Sequence, residues 1–228
     1  MLKFHKKPSW QYSRLKSRIL AMLDLIENHI EKMLQTYTQG DYFEFLKTAK
    51  DKYISLTGKL DEDVSEFESR MSCFNDWYIF QYKDQSGKKL VEDYIKNQKL
   101  DAELQEAFLN IRHSLFKFEK TNMRGQIVLY DFFQEESFKL SPSQTNIGLV
   151  QEDLFIGRSM IYKNEAFLLR GVCILPEAIK SLLIKECKKI RRLNSFEEEI
   201  KFLMNLENLK TKSMHYSHIE PSKIFVFN

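Results

Sequence analysis

The sequence predicts an α+β fold: a helical N-terminal half, a small five-stranded antiparallel β module of barrel-like form, and two C-terminal helices. Three observations predict it. Apolar residues recur at steps of three and four over the first hundred residues, the spacing that puts them on one face of a helix. Near residue 115 the repeat changes to two, the period of a strand. After Pro176 the helical spacing returns. The expected units are 1–113 (helical), 114–175 (β) and 176–228 (helices and tail), packed as one compact body.

Composition agrees with long helices and few turns. Seven glycines and four prolines in 228 residues fall well below the average combined usage of about 12%. The apolar share is 43% and the charged share 29%, the balance of a globular rather than a disordered chain. Eighteen Phe and ten Tyr supply bulky core material.

Residues 1–8 read as a loose basic arm. From Trp10 the stripe Leu15, Ile19, Met22, Ile26, Ile30, Met33, Tyr37 steps 4, 3, 4, 4, 3, 4 and predicts one helix, stopped by Gly40. A second helix carries Phe43, Leu46, Ala49, Tyr53 and Leu56 and ends at Gly58. A third is expected from Asp61 or Asp63, with Val64, Phe67, Met71, Phe74 and Tyr78 inward. It runs into residues 74–82, where five aromatics fall within nine positions before the turn signal Asp84-Gln85-Ser86-Gly87. That density suits a ligand platform or a buried junction, and the continuing stripe favours the junction. Asp76 beside Trp77 is the residue that packing does not explain. It is expected to bond across the junction. A short helix holds Leu90, Val91, Tyr94 and Ile95, and another capped by Asp101 is expected to reach Leu115.

The expected strands are 115–120, 126–133, 136–141, 154–162 and 166–174. The loop 142–152 between them is rich in Ser, Gln, Thr and Asn and is expected to be exposed and mobile. Pro176 opens a helix through Ile190, and Ser195-Phe196-Glu197-Glu198 is a capping box for a last helix to about residue 210. The tail ends in Ile224-Phe225-Val226-Phe227, which adds a strand or docks on the bundle.

Several mechanisms are excluded. No two of the glycines at 40, 58, 87, 125, 148, 157 and 171 lie within eight residues, so neither a dinucleotide fingerprint nor a phosphate-cradling loop is present. Gly157-Arg158-Ser159 lacks the second glycine of a nucleophile elbow. No His-Glu-x-x-His occurs. The three cysteines, Cys73, Cys173 and Cys187, are widely spaced, which argues for free thiols and a reducing, cytoplasmic setting. No apolar run is long enough to span a membrane, and no cofactor is expected.

The remaining candidates are clusters. Asp131, Glu135 and Glu136, with Glu152, Asp153 and His113, would suit acid–base or metal-assisted hydrolysis if they converge. Otherwise they are strand-edge charges, with Asp131 a turn former or a paired structural acid. Lys188, Lys189, Arg191 and Arg192 would grip phosphates, or form a solvated helix face that complements the helix dipole. A net charge of +3 favours the second. His215 and His218 share a face if helical and would take Glu220 as a third metal ligand. The alternative is a pair of ordinary polar histidines.

One likeness adds to this reading. The segment Phe74-x-Asp76-Trp77-Tyr78-Ile79-Phe80-x-Tyr82 resembles one in uncharacterised bacterial proteins, some of which carry a SEC-C zinc-binding motif. Residues 126–138, with Leu129-Tyr130-Asp131-Phe132 and Glu135-Glu136, resemble that group's leucine-x-aspartate-leucine…glutamate stretch. The likeness covers the middle of the chain and implies the helical-then-β order. It implies no activity, and with no cysteine cluster here it implies no zinc. The expected function is a non-catalytic interaction or regulatory protein that binds another protein. A carboxylate-based hydrolase or nuclease is the first alternative, and nucleic-acid binding through the basic helix the second.

Overall fold

The computed structural model describes residues 9–59 and 61–227, with side chains from Ser17 onward. The basic arm, residues 1–8, lies outside the described residues. Helix α1 spans Ser9–Tyr37, and Ile19, Met22, Ile26, Met33 and Tyr37 of the stripe are buried. Helix α2 follows at Phe43–Thr57, closed by Gly58 at φ +81°.

Helix α3 is Phe67–Phe80, several residues shorter at its start than its apolar stripe suggests. Residues 61–66 instead form tight turns, in which Val64 N donates to Asp61 O and Phe67 N to Val64 O. Asp and Ser side chains compete for backbone groups and disfavour helix there. Helix α4 is Leu90–Asn97. Helix α5 is Ala102–Leu109, capped by the Asp101 carboxylate on Leu104 N at 2.9 Å.

The sequence predicts α5 through Leu115, but strand β1 already begins at Arg112 and runs to Thr121. Its first residues pair with a strand more than forty positions away, Arg112 with Ser159 and His113 with Arg158. That ladder overrides the local helical spacing. The other strands are β2 (Ile127–Asp131), β3 (Glu136–Lys139), β4 (Leu154–Tyr162), β5 (Glu165–Leu168) and the two-residue β6 (Cys173–Ile174). The segment expected as one strand over 166–174 is therefore two, parted around Gly171.

The sheet is antiparallel in the order β3-β2-β1-β4-β5, with β6 beside β4. It curls until its two ends touch at one point, where Leu140 bridges Ala166 and Ser141 N donates to Ala166 O at 2.7 Å. The result is a half-barrel. Its concave side holds Phe116, Phe118, Leu129, Leu140, Phe155 and Leu168. The loop 142–152 is anchored across it: the Gln144 amide accepts from Leu168 N and donates to Leu168 O, standing in for a neighbouring strand at that edge.

The convex side packs Leu115, Leu154, Ile156, Met160 and Phe167 into the main core with the helices. Pro176 precedes a 3-10 turn, Glu177–Ile179, that leads into α6 (Lys180–Arg191). Helix α7 is Phe196–His215, with the Ser195 cap, a turn longer than the expected end near 210. The tail docks rather than pairing: after α8 (Pro221–Ile224) Phe225 is buried, and Phe227 lies 5.7 Å from the Phe202 ring.

Candidate functional site

The half-barrel leaves a seam. Strands β3 and β5 meet only at the Leu140–Ala166 bridge, and toward Glu136 and Asn164 the seam opens into a cleft of about 770 Å³. Glu136 and Phe138 of β3 form one side, and Lys163, Asn164 and Ala166 the other. Glu103, Glu106 and Leu109 of α5 and Phe196 and Glu199 of α7 wall the ends. Asp131 and Ser159 of its lining are buried, and Arg112 is partly exposed.

Three large apolar side chains stand exposed on this one rim: Leu109 (45%), Ile161 (69%) and Phe196 (69%). Each alone would be ordinary, but grouped around a concave opening they form the kind of patch that marks an interaction surface. Five acids face three bases in the cleft lining. Burial raises the Glu199 carboxyl above its ordinary value, opposed by Arg112 and assisted by Asp131.

Asp131 is the deepest acid, and its oxygens are occupied. Oδ1 accepts from Ser114 Oγ at 2.6 Å, Phe133 N at 2.9 Å and Gln134 N at 3.2 Å. The two backbone bonds form the turn that ends β2, and Glu135 at φ +54° completes the reversal into β3. Oδ2 lies 2.5 Å from Arg112 Nε. That nitrogen lacks hydrogen-bond alignment, so the contact is an ion pair rather than a directed bond. A carboxylate so engaged has little lone-pair capacity left to take a substrate proton.

Of the other candidates, His113 and Glu136 line the same cleft, and the rest are dispersed. Glu135 is paired with Arg191 at 2.6 Å, and Glu136 is exposed on the seam edge. Glu152 bridges Lys117 and Lys180, and Asp153 Oδ2 accepts from Val150 N. On α6, Arg191 also donates to Phe132 O, and Lys189 is paired with Glu186. Lys188 and Arg192 are exposed. His215 Nε2 contacts the Lys59 carbonyl at 2.8 Å, while His218 lies past the end of α7 against Tyr216. The shared helical face expected for them does not form, because α7 stops at His215. Among the described residues no group of three or more His, Cys, Asp or Glu side chains is placed to hold a metal. The three thiols are unpaired and buried, and burial pushes Cys173 and Cys187 up to about 12.

Asp76 and Trp77 lie where the helices meet the β module. Asp76 is 4% exposed, and its Oδ2 accepts from Gly171 N at 2.9 Å. Burial raises its carboxyl to about 6, against the lowering effect of Arg158, the Gly171 bond and Arg170. Trp77 packs at 5.2 Å from Tyr53 and 4.9 Å from Tyr82. Such ring pairs contribute about 0.5–1.5 kcal/mol beyond area burial.

Behind the cleft runs a buried polar chain that sequence reasoning missed. Gln81 Oε1 accepts from Arg158 Nε and Nη2 at 2.9 and 2.6 Å. Its amide nitrogen therefore faces His113 Nδ1, at 3.2 Å, and donates to it. An accepting Nδ1 leaves the proton on Nε2, which faces Glu207 Oε1 at 3.9 Å. Both of those atoms are buried, and among the described residues neither has a hydrogen-bond partner. Glu207 Oε2 accepts from Tyr53 at 2.5 Å and from Arg70 at 2.9 Å, and Arg70 continues to Thr57 O and Thr211 Oγ1. Burial, with Arg158 nearby, holds the His113 imidazole well below its ordinary pKa.

A signal for this chain was present. Arg158 interrupts Ile156 and Met160 on the inward face of β4, and Glu207 lies on the apolar face of α7 between Leu203 and Thr211. A charge at a core position calls for a partner.

Among the described residues no helix is long and apolar enough to cross a membrane. No curated protein and no solved structure matches the chain. The model of one protein family matches residues 16–212. The chain thus belongs to a family of unknown function, DUF7986.

Proposed function

We propose that this protein is a non-catalytic interaction protein that receives an apolar, positively charged segment of a partner protein at the open seam of its half-barrel. The observation that carries the reading is the grouping of exposed Leu109, Ile161 and Phe196 around an acid-rich cleft. Apolar side chains at the centre of a patch supply the binding energy. The carboxylates Glu103, Glu106, Glu136 and Glu199 select the sign of the partner's charge and speed its approach. Asp131 supports the non-catalytic part, because its oxygens hold the turn and Arg112. Three unpaired thiols support a cytoplasmic setting. The bacterial proteins that share the segment over 74–82 carry no activity over to this chain.

Site-specific photo-crosslinking tests the proposal. A benzophenone side chain placed at Ile161 is expected to capture discrete partners in lysate, and one at Met123, fully exposed on a distant hairpin, is not. Reversing charge with Glu103→Lys and Glu199→Lys should remove the Ile161 adducts. Identical adducts at the two positions, or adducts at 161 that survive charge reversal, would refute the reading.

A further inference from the structure

A second cavity shares no lining residue with the seam. It lies between α1, α3 and the end of β5, and its volume is about 120 Å³. Leu23, Ile26, Ile30, Leu34, Phe167 and Leu169 line its apolar side, and Ser72, Asn75 and Asp76 of α3 add polar groups. An engineered apolar cavity of about 150 Å³ accepts benzene, so this one suits a ligand slightly smaller.

We infer that this cavity is a binding site for a small organic monocation, an aliphatic amine of about four carbons, with its ammonium group on Asp76 and its alkyl part among Ile26, Ile30 and Leu169.

Three observations lead to that chemistry. The first is Asp76 itself, a carboxylate nine-tenths buried in a wall whose other charged residues, Glu27, Glu31 and Arg170, are partly exposed. Its Oδ2 accepts from Gly171 N, and no donor among the described residues is bonded to Oδ1. A carboxylate accepts about four hydrogen bonds, so it has room for an ammonium donor. The raised carboxyl pKa, with burial as its leading cause, is the mark of an acid short of partners.

The second is the local charge balance. Asp76, Glu207, Glu27 and Glu31 are answered by Arg70, Arg158 and Arg170. One negative charge is in excess, and a single ligand cation would balance it. An anion would add to the excess, and a neutral alcohol would leave it as it is.

The third is the entrance. Arg170 reaches from the end of β5 to Glu27 at 2.9 Å and Glu31 at 3.8 Å, one turn apart on α1. Its side chain is 66% exposed, and an ion pair this wet contributes little to stability. It can swing aside, leaving two acids at the mouth to draw a cation in.

Methyl and carboxyl carbon NMR at neutral pH tests the inference, with isobutylamine, isobutanol and isovalerate as probes that share one isobutyl group and carry three different charges. Isobutylamine is expected to shift the methyl signals of Ile26, Ile30 and Leu169 and the Asp76 carboxyl saturably, at least about tenfold more tightly than isobutanol. Isovalerate should give no saturable shift. Asp76→Asn should abolish the preference of amine over alcohol. Ile30→Phe fills the cavity from a half-buried position and keeps Asp76, so it should abolish binding in a protein that still folds. Equal affinity for amine and alcohol, shifts scattered away from the cavity, no saturable shift, or full binding in Ile30→Phe would overturn the inference.

Discussion

Replacing Gly171 by Ala probes the contact that joins α3 to the β module. An added Cβ would lie 2.5 Å from Asp76 Oδ2, 2.8 Å from Cys73 Cα and 2.8 Å from Ser72 O. Two of those atoms are α3 backbone and cannot turn aside as a side chain would. The strand segment must therefore retreat from the helix, and the bond from Gly171 N to Asp76 is lost with it. Overpacking of this kind costs about 1–3 kcal/mol, and a hydrogen bond to a charged group is worth about 1.5–3 kcal/mol. Removing a glycine stiffens the unfolded chain and returns about 0.4–1 kcal/mol. The net expected loss is about 2–5 kcal/mol, a large part of the 5–15 kcal/mol typical of a folded domain. Urea titration should show a lower midpoint at unchanged slope. In a chain of this size the melting temperature should fall by roughly 10 °C. Gly125→Ala is the control: nothing lies within 4 Å of its Cβ, and only the backbone at φ +76° resists, for about 1–2 kcal/mol. A loss below about 1 kcal/mol at Gly171 would refute the claim that the joint is close-packed.

Three further outcomes follow from the buried groups. Glu207→Ala strips the carboxylate from Arg70 and Tyr53 and should cost about 3–5 kcal/mol, as breaking one side of a buried pair does; chemical denaturation measures it, and near-neutral stability would show that the pair contributes nothing. His113 should remain neutral, with its proton on Nε2, at pH 6, below the ordinary imidazole value. Because its folded pKa lies below the ordinary 6.5, its contribution to stability is present above that value and is lost as pH falls; an imidazolium nitrogen signal at pH 6 would contradict this. The Asp76 carboxyl should titrate near 6 rather than near 3.8. Its folded pKa is the higher one, so its contribution is fully present below the ordinary value and is lost as pH rises through about 6. The stability of the wild type relative to Asp76→Asn should therefore decline between pH 4 and 6.5, and a rising difference would reverse the sign of the argument.

The parts of the fold visible in the sequence are those fixed by neighbours along the chain. The α1 stripe from Ile19 to Tyr37 is a local repeat, and each step of it is a turn of one helix. The caps at Asp101 and Ser195 are equally local. The start of β1 was not visible, because Arg112 and His113 become strand only by pairing with Ser159 and Arg158. The cleft was half visible. Asp131 and Glu136 stood out by charge, but Leu109, Ile161 and Phe196 are ordinary apolar residues until the curled sheet and two helices set them on one rim. The separation of His215 from His218 turns on where α7 ends, at His215, a boundary that no cap residue marks in the sequence.

The aromatic run over 74–82 shows why the three expected units depend on one another. One face of α3 is apolar: Phe74, Trp77 and Tyr78 pack with Tyr53, Tyr82 and each other. Its polar residues reach the sheet instead. Asp76 takes Gly171 N, and Gln81 joins Arg158 to His113. From there the chain passes to Glu207 on α7 and returns to Arg70 on α3. The helical region thus holds Arg70 and Asp76, the β module Arg158, and the C-terminal region Glu207. A fragment ending at residue 113 would keep Arg70 without Glu207, and an isolated β module would keep Arg158 without Gln81 or Asp76. Each cut would part these pairs and expose to water the charges and the apolar surface packed around them. Buried polar contacts therefore link all three segments of the chain. The solvent-facing acids of the seam play no part in that network and are free to serve recognition.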